Sequence, residues 1–367
     1  MTDRPEASPH EAGTPAPANA AIVCLGKDRT RLEDQAIPVP GPGEIVLKMR
    51  RSGLCGTDLF KLTTDTATPG TVLGHEITGD VVDVGTGVTG FSVGDRVVVP
   101  HHVACGQCVL CRNGNETMCV VFKENLMQPG GFANFILIKA RAVSEAARGI
   151  PDEVSDEAAV FMEPAACVLR GIDRSGLSKG GAAIVFGCGS MGLLHVITLR
   201  AIDPSVRILA IDLDSERLRL AGKLGAAFTS RPGPDAGQAA ETMTNGFGVD
   251  AVFDTVGGSA LLDSGLSLAR AGGTIVLFAH AGDGETADMD LNAFFKKEQR
   301  VVATYSGGLD EQRRVFDMIC RGTLDPSPLV THLMPLSDFT EGVTLTRERR
   351  ALKVLYTPMS QETEGAR

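Results

Sequence analysis

Four cysteines within fifteen residues are the clearest chemical feature of this sequence of 367 residues. They follow the spacing C-x2-C-x2-C-x7-C, at Cys105, Cys108, Cys111 and Cys119. Four thiolates at such short spacing can close a tetrahedral shell around zinc. A closed shell leaves no position for a substrate, so this ion is expected to hold a lobe of the chain together. A four-cysteine iron–sulfur cluster is the alternative, although such clusters use other spacings.

A second possible metal site is scattered along the chain. Cys55 lies in GLCGTD, His75 lies in GHE and Glu163 lies in FMEPAAC. A thiolate, a neutral imidazole and a carboxylate would balance the charge of a zinc ion and leave one position open, as in catalytic zinc sites. Such an ion is a Lewis acid that binds an alcohol and lowers its pKa. Each residue alone is an ordinary polar side chain, so this hypothesis depends on the motifs around it.

The third chemical feature is a glycine-rich turn that follows an apolar run. The turn FGCGSMG has the pattern G-x-G-x-x-G and supplies the candidate cofactor-binding residues Gly187, Gly189, Ser190, Met191 and Gly192. The glycines allow a tight turn and let a pyrophosphate approach the N-terminus of the next helix. Asp212 stands twenty residues after Gly192, where an acidic residue hydrogen-bonds the adenosine ribose. Because a carboxylate there repels a 2′-phosphate, the sequence predicts NAD in preference to NADP.

Two kinds of scaffold must position these residues. Between residues 21 and about 140, short β segments are broken by glycine at close intervals, which is typical of a mostly antiparallel β unit. From Ala182 onward, apolar strands such as AAIVF and VRILAID alternate with helical stretches. This alternation predicts βαβ units and a parallel sheet, so the chain is expected to be an α/β protein. After about Tyr305 the pattern gives one more helix and one strand, ALKVLYTP.

A longer motif carries a resemblance to a known family. The segment GHEITGDVVDVGTGV follows the pattern G-H-E-x2-G-x5-G-x2-V. In this motif, and in the four-cysteine lobe downstream of it, the chain resembles the zinc-containing medium-chain alcohol dehydrogenases. The C-terminal EGVTLTRERRALKVLYTP is also similar to that family, and the resemblance covers nearly all of residues 21 to 358. Glutamate at residue 163, followed by proline, resembles the polyol and threonine dehydrogenase branch.

The resemblance implies roles for individual residues. It matches the ligands of the catalytic zinc to Cys55, His75 and Glu163. Glu76 is similar to the family residue that sits behind this zinc and can swing in as a ligand. Asp58 resembles the carboxylate that orients the zinc-bound histidine. Thr57 matches the hydroxyl that hydrogen-bonds the substrate alcohol and takes its proton.

The sequence departs from the family pattern at one position. The family commonly has a histidine five residues after the zinc cysteine, which relays the alcohol proton to solvent, and this chain has Phe60 there. His101 and His102 are the candidates to replace it, since they precede the cysteine lobe. Threonine dehydrogenases are similar in having a histidine at the place of His102. We therefore hypothesise that one of this pair contacts the substrate or takes the proton.

The resemblance also implies a two-domain fold. A GroES-like β catalytic domain, residues 21–168 and 307–358, carries both zinc ions. A Rossmann domain with a doubly wound parallel sheet, residues 169–306, is inserted into it and binds NAD. Residues 1–20 are rich in proline, alanine and small polar residues, and we expect them to form a disordered arm. The final SQETEGAR is expected to be a frayed tail.

Composition excludes several classes of function. The net charge of −10 argues against binding to nucleic acid, which needs a basic surface. No apolar run approaches the roughly 20 residues that span a bilayer, and the N-terminus lacks a signal peptide, so a cytoplasmic protein without membrane partners is expected. An odd number of cysteines, nine, fits a reducing compartment. The family resemblance implies a homodimer or homotetramer.

The expected activity follows from these features and from the resemblance. The chain is predicted to transfer a hydride between NAD and a secondary alcohol, such as a polyol, a cyclitol or a hydroxy-amino acid like threonine. One alternative is an aldehyde or ketone reductase of the same family. A second alternative, favoured only by Phe60, is a non-catalytic NAD-binding sensor on the same scaffold.

Overall fold

The computed structural model describes residues 18–64 and 66–359. The predicted arm over residues 1–17 and the predicted tail over residues 360–367 lie outside the described residues. Residues 18–20 were assigned to the arm, and this assignment is wrong, because they form the start of the first strand. Asn19 is buried there, and its side chain exchanges two hydrogen bonds with the backbone of Phe135, at 2.9 and 2.8 Å. Among the described helices, none has the length and apolar character to cross a membrane.

Strands at the two ends of the described chain form the first structural unit. Those before the parallel sheet are β1 (Ala18–Gly26), β2 (Arg29–Ala36), β3 (Ile45–Gly53), β4 (Glu76–Val84), β5 (Arg96–Pro100), β6 (Met127–Gln128), β7 (Phe135–Ile138) and β8 (Arg148–Gly149). Strands β1 and β2 pair as an antiparallel hairpin. In the larger sheet, β3, β4, β5 and β8 are successive antiparallel neighbours, and β7 also pairs with β3. This unit is mostly antiparallel, as the glycine-broken segments predict.

The middle of the chain forms a six-stranded parallel sheet. Its strands are β9 (Ala182–Phe186), β10 (Arg207–Ile211), β11 (Phe228–Ser230), β12 (Val249–Asp254), β13 (Ala269–Leu277) and β14 (Arg300–Ala303). The spatial order is β11-β10-β9-β12-β13-β14, so the order reverses between β9 and β12. That reversal is the switch point of a doubly wound fold, where ligands bind at the carboxyl ends of the strands.

The chain then returns to the first sheet. Strand β15 (Val330–Pro335) pairs with β16 (Lys353–Thr357), which pairs in turn with β3. The twelve α-helices of the described residues are α1 (Gly56–Thr63), α2 (Val109–Arg112), α3 (Ala140–Glu145), α4 (Asp156–Ala159), α5 (Met162–Ser175), α6 (Ser190–Ile202), α7 (Ser215–Lys223), α8 (Pro234–Thr244), α9 (Ser259–Leu268), α10 (Leu291–Lys297), α11 (Leu309–Cys320) and α12 (Phe339–Arg347).

The parallel sheet is covered on both faces, because successive side chains of a strand point to opposite sides. On β9, Ala183 and Val185 belong to the core that includes α5 and α6. Ile184 belongs to a second core with residues of α8 and α9. A separate core fills the mostly antiparallel unit. The continuous apolar run of β9 is thus the mark of a strand buried on both faces.

Helix α5 connects the two units. It contacts β4 and β5 of the first sheet as well as β13 and β14 of the parallel sheet. The predicted domain boundary between residues 168 and 169 falls inside this helix. A single rigid element therefore carries Glu163 in its first turn and extends onto the parallel sheet.

Candidate active site

The four-cysteine lobe has the geometry of a metal site. All four sulfurs lie within 4.8 Å of one another, and the Cys108–Cys111 and Cys105–Cys119 sulfur pairs are each 3.5 Å apart. Tetrahedral bonds of 2.3 Å to zinc require sulfurs roughly 3.8 Å apart, so the four thiols fit one ion. The backbone N–H of Cys111 lowers the pKa of Cys108 to about 6, which favours the thiolate that a metal requires.

A buried arginine ties this lobe to helix α5. Arg170 is 5% exposed and donates to Glu311 of α11 at 2.9 Å and to the carbonyl of Gly114 in the lobe at 3.2 Å. Glu116, also in the lobe, lies 3.7 Å from the same guanidinium. Burial, together with the charge of Glu311, raises the pKa of Glu116. Arg170 follows Glu163 by seven residues on α5, two turns away along one face of the helix.

The second cluster brings together Cys55, His75 and Glu76. One ligand atom from each lies within 4.8 Å of the others. Cys55 is the residue before α1, and the side chain of Asp58 fixes it by accepting its backbone N–H at 3.1 Å. His75 directly precedes β4, and Glu76 is the first residue of that strand. A thiol, an imidazole and a carboxylate therefore converge here, but the carboxylate is that of Glu76, whereas the sequence analysis predicts Glu163 as the third ligand.

Asp58 holds His75 in place. Its carboxylate lies 3.4 Å from Nδ1 of His75 and also accepts the backbone N–H of Gly74 at 3.2 Å. Burial alone would raise the pKa of Asp58, but the neighbouring His75 and the two N–H donors lower it below its ordinary value. A carboxylate that binds one ring nitrogen leaves the other nitrogen facing the metal position.

Glu76 has a partner that the sequence analysis did not find. Lys353, at the start of β16, is 3% exposed and forms an ion pair with Oε2 of Glu76. It also donates to the carbonyl of Leu54 at 3.3 Å. Among the residues that the structure describes, Oε1 of Glu76 is buried and has no hydrogen-bond partner. A lone lysine within the apolar run of β16 was the available signal, since a buried lysine needs a counter-charge.

Glu163 lies beside the cluster of Cys55, His75 and Glu76. Its carboxylate is buried and receives a hydrogen bond from the thiol of Cys167, at 3.5 Å. Burial raises its pKa, and the nearby charges of His75 and Glu76 act on it in opposite directions. Its oxygens are not among the ligand atoms that lie within 4.8 Å of one another, so the compact cluster contains Glu76 in place of the predicted ligand Glu163.

The residues predicted to bind or accept the substrate proton, Thr57, His101 and His102, lie in different parts of the structure. Thr57 is exposed in the first turn of α1. The rings of His75 and His101 are 4.5 Å apart, and those of His101 and His102 are 3.6 Å apart. His102 packs on Phe122 of the cysteine lobe at 5.0 Å. Burial lowers the pKa of His102 to about 3 and that of His101 well below its ordinary value, so both imidazoles are neutral at neutral pH.

A cavity of about 550 Å3 joins the metal-binding cluster to the glycine-rich turn. Its lining includes Cys55 and Glu76 from the first unit and Gly187, Met191 and Asp212 from the parallel sheet. The turn needs its glycines. Gly187 has a φ of +85°, and a Cβ at Gly192 would collide with the carbonyl of Gly187.

The cavity also has free polar groups for a dinucleotide. The hydroxyl of Ser190, in the first turn of α6, is buried and has no hydrogen-bond partner in the described part of the chain. Within residues 18–64 and 66–359, a Cβ at Gly189 would meet only Arg217, at 3.9 Å, so the turn is open on that side. Asp212 follows β10 and accepts the backbone N–H of Cys188 at 2.6 Å. The open N-terminus of α6 and the hydroxyl of Ser190 fit a pyrophosphate. The carboxylate of Asp212 fits the adenosine ribose.

The role of Asp212 gives a testable prediction. Asp212→Ser should lower the preference for NAD over NADP about 10- to 100-fold, because hydrogen bonds to a charged group contribute about 1.5–3 kcal/mol. The measurement is the ratio of kcat/KM for the two cofactors. Asp214→Ser is the matched control: Asp214 is an exposed carboxylate two residues away, and serine can replace it as the cap of α7. An unchanged ratio in Asp212→Ser would contradict the assignment.

The fold and this cavity together define a metal- and dinucleotide-dependent oxidoreductase, and comparisons with known proteins identify its family. Residues 41–151 match the alcohol dehydrogenase GroES-like domain, and residues 190–321 match the zinc-binding dehydrogenase domain. The chain is 32% identical to L-threonine 3-dehydrogenase of Bacillus velezensis, over 89% of this chain and 95% of that protein. It is 29% identical to erythritol/L-threitol dehydrogenase of Mycolicibacterium smegmatis, over 92% and 97%.

A solved structure agrees with these relatives. Alcohol dehydrogenase TADH from Thermus sp. ATN1 superposes with a TM-score of 0.83 at 28% identity, over 93% of this chain and 100% of that chain. The chain belongs to the zinc-containing medium-chain alcohol dehydrogenase family. It is a zinc-dependent, NAD-dependent alcohol dehydrogenase. The predicted family, fold class and cofactors are thereby confirmed.

Proposed function

We propose that the protein oxidises a secondary alcohol with polar neighbouring groups: a polyol, a cyclitol or a hydroxy-amino acid such as threonine. The observation that carries this proposal is the single cavity in which Cys55 and Glu76 meet the glycine-rich turn. An alcohol beside the metal ligands would there lie next to the cofactor. Relatives named for threonine, erythritol and sorbitol support the substrate class.

The proposed site assigns each residue a task. The residues that would hold the catalytic zinc are Cys55, His75 and Glu163, and those that would hold the structural zinc are the four lobe cysteines. When bound, the catalytic ion supplies a Lewis acid for the alcohol oxygen. Thr57 would hydrogen-bond the alcohol and accept its proton, and Asp58 would orient His75. Lys353 neutralises Glu76, which leaves the carboxylate of Glu163 as the third ligand.

The proposal is tested by following NADH formation when the purified protein meets NAD and a panel of polyols, cyclitols and hydroxy-amino acids. Each reaction is repeated after treatment with a zinc chelator. Reduction of NAD by one chemical group, lost with the chelator and restored by added zinc, would support the proposal and identify the substrate class. No reaction across the panel, from protein that holds two zinc ions per chain, would overturn the proposed substrate class.

His101 and His102 are proposed to contact the substrate. Because burial lowers the pKa of both imidazoles, they are weak bases at neutral pH, and we assign them hydrogen bonds to a polar group of the substrate. His101→Ala should raise KM for the alcohol about tenfold and leave KM for NAD unchanged, since it lies against His75. His102→Ala should have a similar or smaller effect, because His102 lies one ring farther from His75. Unchanged KM values in both variants would exclude the pair from the substrate site.

We also propose that the protein is a homo-oligomer. In the described part of the chain, β14 pairs only with β13 and forms a free edge of the parallel sheet. On the neighbouring α10, Leu291 and Phe295 are 73% and 78% exposed. Two such edges could pair and cover these side chains.

Replacing Leu291 and Phe295 with aspartate should therefore convert the oligomer to smaller species, as measured by light scattering after gel filtration. The control is Phe247→Asp, which alters an equally exposed phenylalanine away from this edge. A monomeric parent protein, or an unchanged mass in the double variant, would contradict this proposal.

We also propose that the protein works in a reducing compartment, the cytoplasm, because its nine cysteines are all free.

A further inference from the structure

An aromatic stack connects the two units at the site. The ring of Phe60 lies parallel to that of His280, with centroids 5.6 Å apart and planes 7° from each other. Phe60 belongs to α1, and His280 lies just beyond the end of β13. Phe60 occupies the position at which the sequence lacks the expected histidine. His280, from the parallel-sheet unit, therefore contacts Phe60, which stands in place of the expected histidine.

Both partners in this stack lie next to segments that line the cavity, although neither ring is itself part of the lining. On α1, Phe60 follows Thr57 by three residues, so the two side chains are neighbours on one face of the helix. On the other side, the carbonyl of His280 lies so close to Gly257 that no Cβ fits there. Thr255 and Val256, in the same turn, line the cavity. His280 thus lies between α1 and the turn that follows β12.

The imidazole of His280 is available for proton exchange. It is exposed, and among residues 18–64 and 66–359 neither of its nitrogens has a hydrogen-bond or ion-pair partner. The ionisable side chains on the elements packed against it are Lys61 and the buried Asp58 on α1, Asp254 at the end of β12, and Asp283 and Glu285 on its own loop. Backbone N–H groups hold the carboxylates of Asp254 and Glu285, at 2.6–3.2 Å.

We propose that His280 carries the substrate proton from the cavity to bulk water, in place of the histidine that is absent at position 60. This inference rests on the proposed alcohol oxidation. Oxidation of a CH–OH group breaks the C–H and O–H bonds. The hydride, with both C–H electrons, reduces NAD⁺, and the O–H proton must leave the site. Thr57 passes this proton outward, a ring nitrogen of His280 accepts it, and His280 releases it to water and becomes neutral again.

Histidine suits this task because it is the side chain type that ordinarily changes charge between about pH 5 and 8. Positioned general acid–base groups typically contribute about 10²–10⁴-fold to a rate, and water can replace part of such a role at an open site. We therefore expect a loss of at least about tenfold at pH 7 when His280 is removed. The loss should shrink as pH rises, because hydroxide can then remove the proton.

The experiment compares His280→Ala with His280→Phe, which keeps an aromatic ring against Phe60. Two signals are recorded with the alcohol that the panel identifies: NADH formation across pH, and proton release to an indicator dye in a stopped-flow instrument. Both variants should slow NADH formation and delay proton release, and added imidazole should restore the rate of His280→Ala. Phe60→His in the His280→Ala background should restore it too. His332→Ala, at a histidine on β15, is the matched control.

The outcomes separate this inference from the proposed function. Parent-like rates in His280→Phe, or a defect that neither imidazole nor Phe60→His relieves, would show that the stack only packs the two units together and would overturn the inference. NADH titration of each variant reports cofactor binding independently of turnover, and it should match the parent protein. If the parent protein oxidises no alcohol, the proposed function fails and this inference fails with it.

Discussion

Replacing Cys55 with alanine is expected to remove one of two zinc ions from each chain and to slow alcohol oxidation by about a thousandfold or more. Cys55 supplies the sulfur of the cluster that it forms with His75 and Glu76. A Lewis acid at the reacting oxygen contributes several kcal/mol, and about 4 kcal/mol corresponds to a thousandfold in rate. The structural zinc should stay bound, because its four thiols belong to a separate lobe.

Metal analysis and NADH formation measure the two effects together. Cys320→Ala is the control, since Cys320 is an exposed thiol at the end of α11, outside both clusters. Two zinc ions and parent-like turnover in Cys55→Ala would contradict the assignment.

The same measurements distinguish the carboxylate of Glu163 from that of Glu76. Glu163→Gln should lose the catalytic zinc, whereas Glu76→Gln should retain it, because Glu76 is already paired with Lys353.

The second large effect is expected on stability, at Arg170. Arg170→Leu should lower the free energy of unfolding by about 3–5 kcal/mol, because it leaves the buried carboxylate of Glu311 without its counter-charge. The same change removes a hydrogen bond to Gly114 in the cysteine lobe. Urea unfolding, followed by circular dichroism, measures the difference. Adding Glu311→Leu should recover part of the loss, since a buried pair can often be replaced by apolar residues of similar size.

The protein contains a matched control for this prediction. Arg314 pairs with Asp173 at 2.6 Å and joins the same two helices, α11 and α5, but its side chain is 40% exposed. Arg314→Leu should cost about 0–1 kcal/mol, because exposed ion pairs contribute little. Equal costs for the two variants would mean that burial of Arg170 does not determine its contribution.

Local spacing explains why much of this site was predictable. Cys105 and Cys108 lie three positions apart (108 − 105), so a short chain segment must place them close together. The glycine-rich turn is also local, since Gly187 and Gly192 meet within six residues. The alternating strands and helices of the parallel sheet are encoded in local hydrophobic patterns. Such features depend on a few consecutive residues and are readable from them.

Long-range pairs were not predictable in the same way. Glu76 and Lys353 pair across most of the chain, and no local pattern links them. Phe60 was recognised as a departure, but only the structure places His280 against it. Whether Glu76 or Glu163 binds the metal ion depends on such long-range partners. The identities of candidate ligands can therefore be read from sequence, whereas the charges around them depend on the assembled fold.

The pairing of Glu76 with Lys353 has a consequence for protein synthesis. The ribosome adds Cys55, His75, Glu76 and Glu163 in the first half of the chain, and Lys353 follows 277 positions after Glu76 (353 − 76). A nascent chain thus presents every proposed ligand of the catalytic ion before Lys353 is added. During that interval Lys353 does not compete with a metal ion for the carboxylate of Glu76. Binding of a metal ion can therefore precede completion of the fold, and under the proposed assignment the last strand then pairs Glu76 with Lys353 and leaves the third ligand position to Glu163.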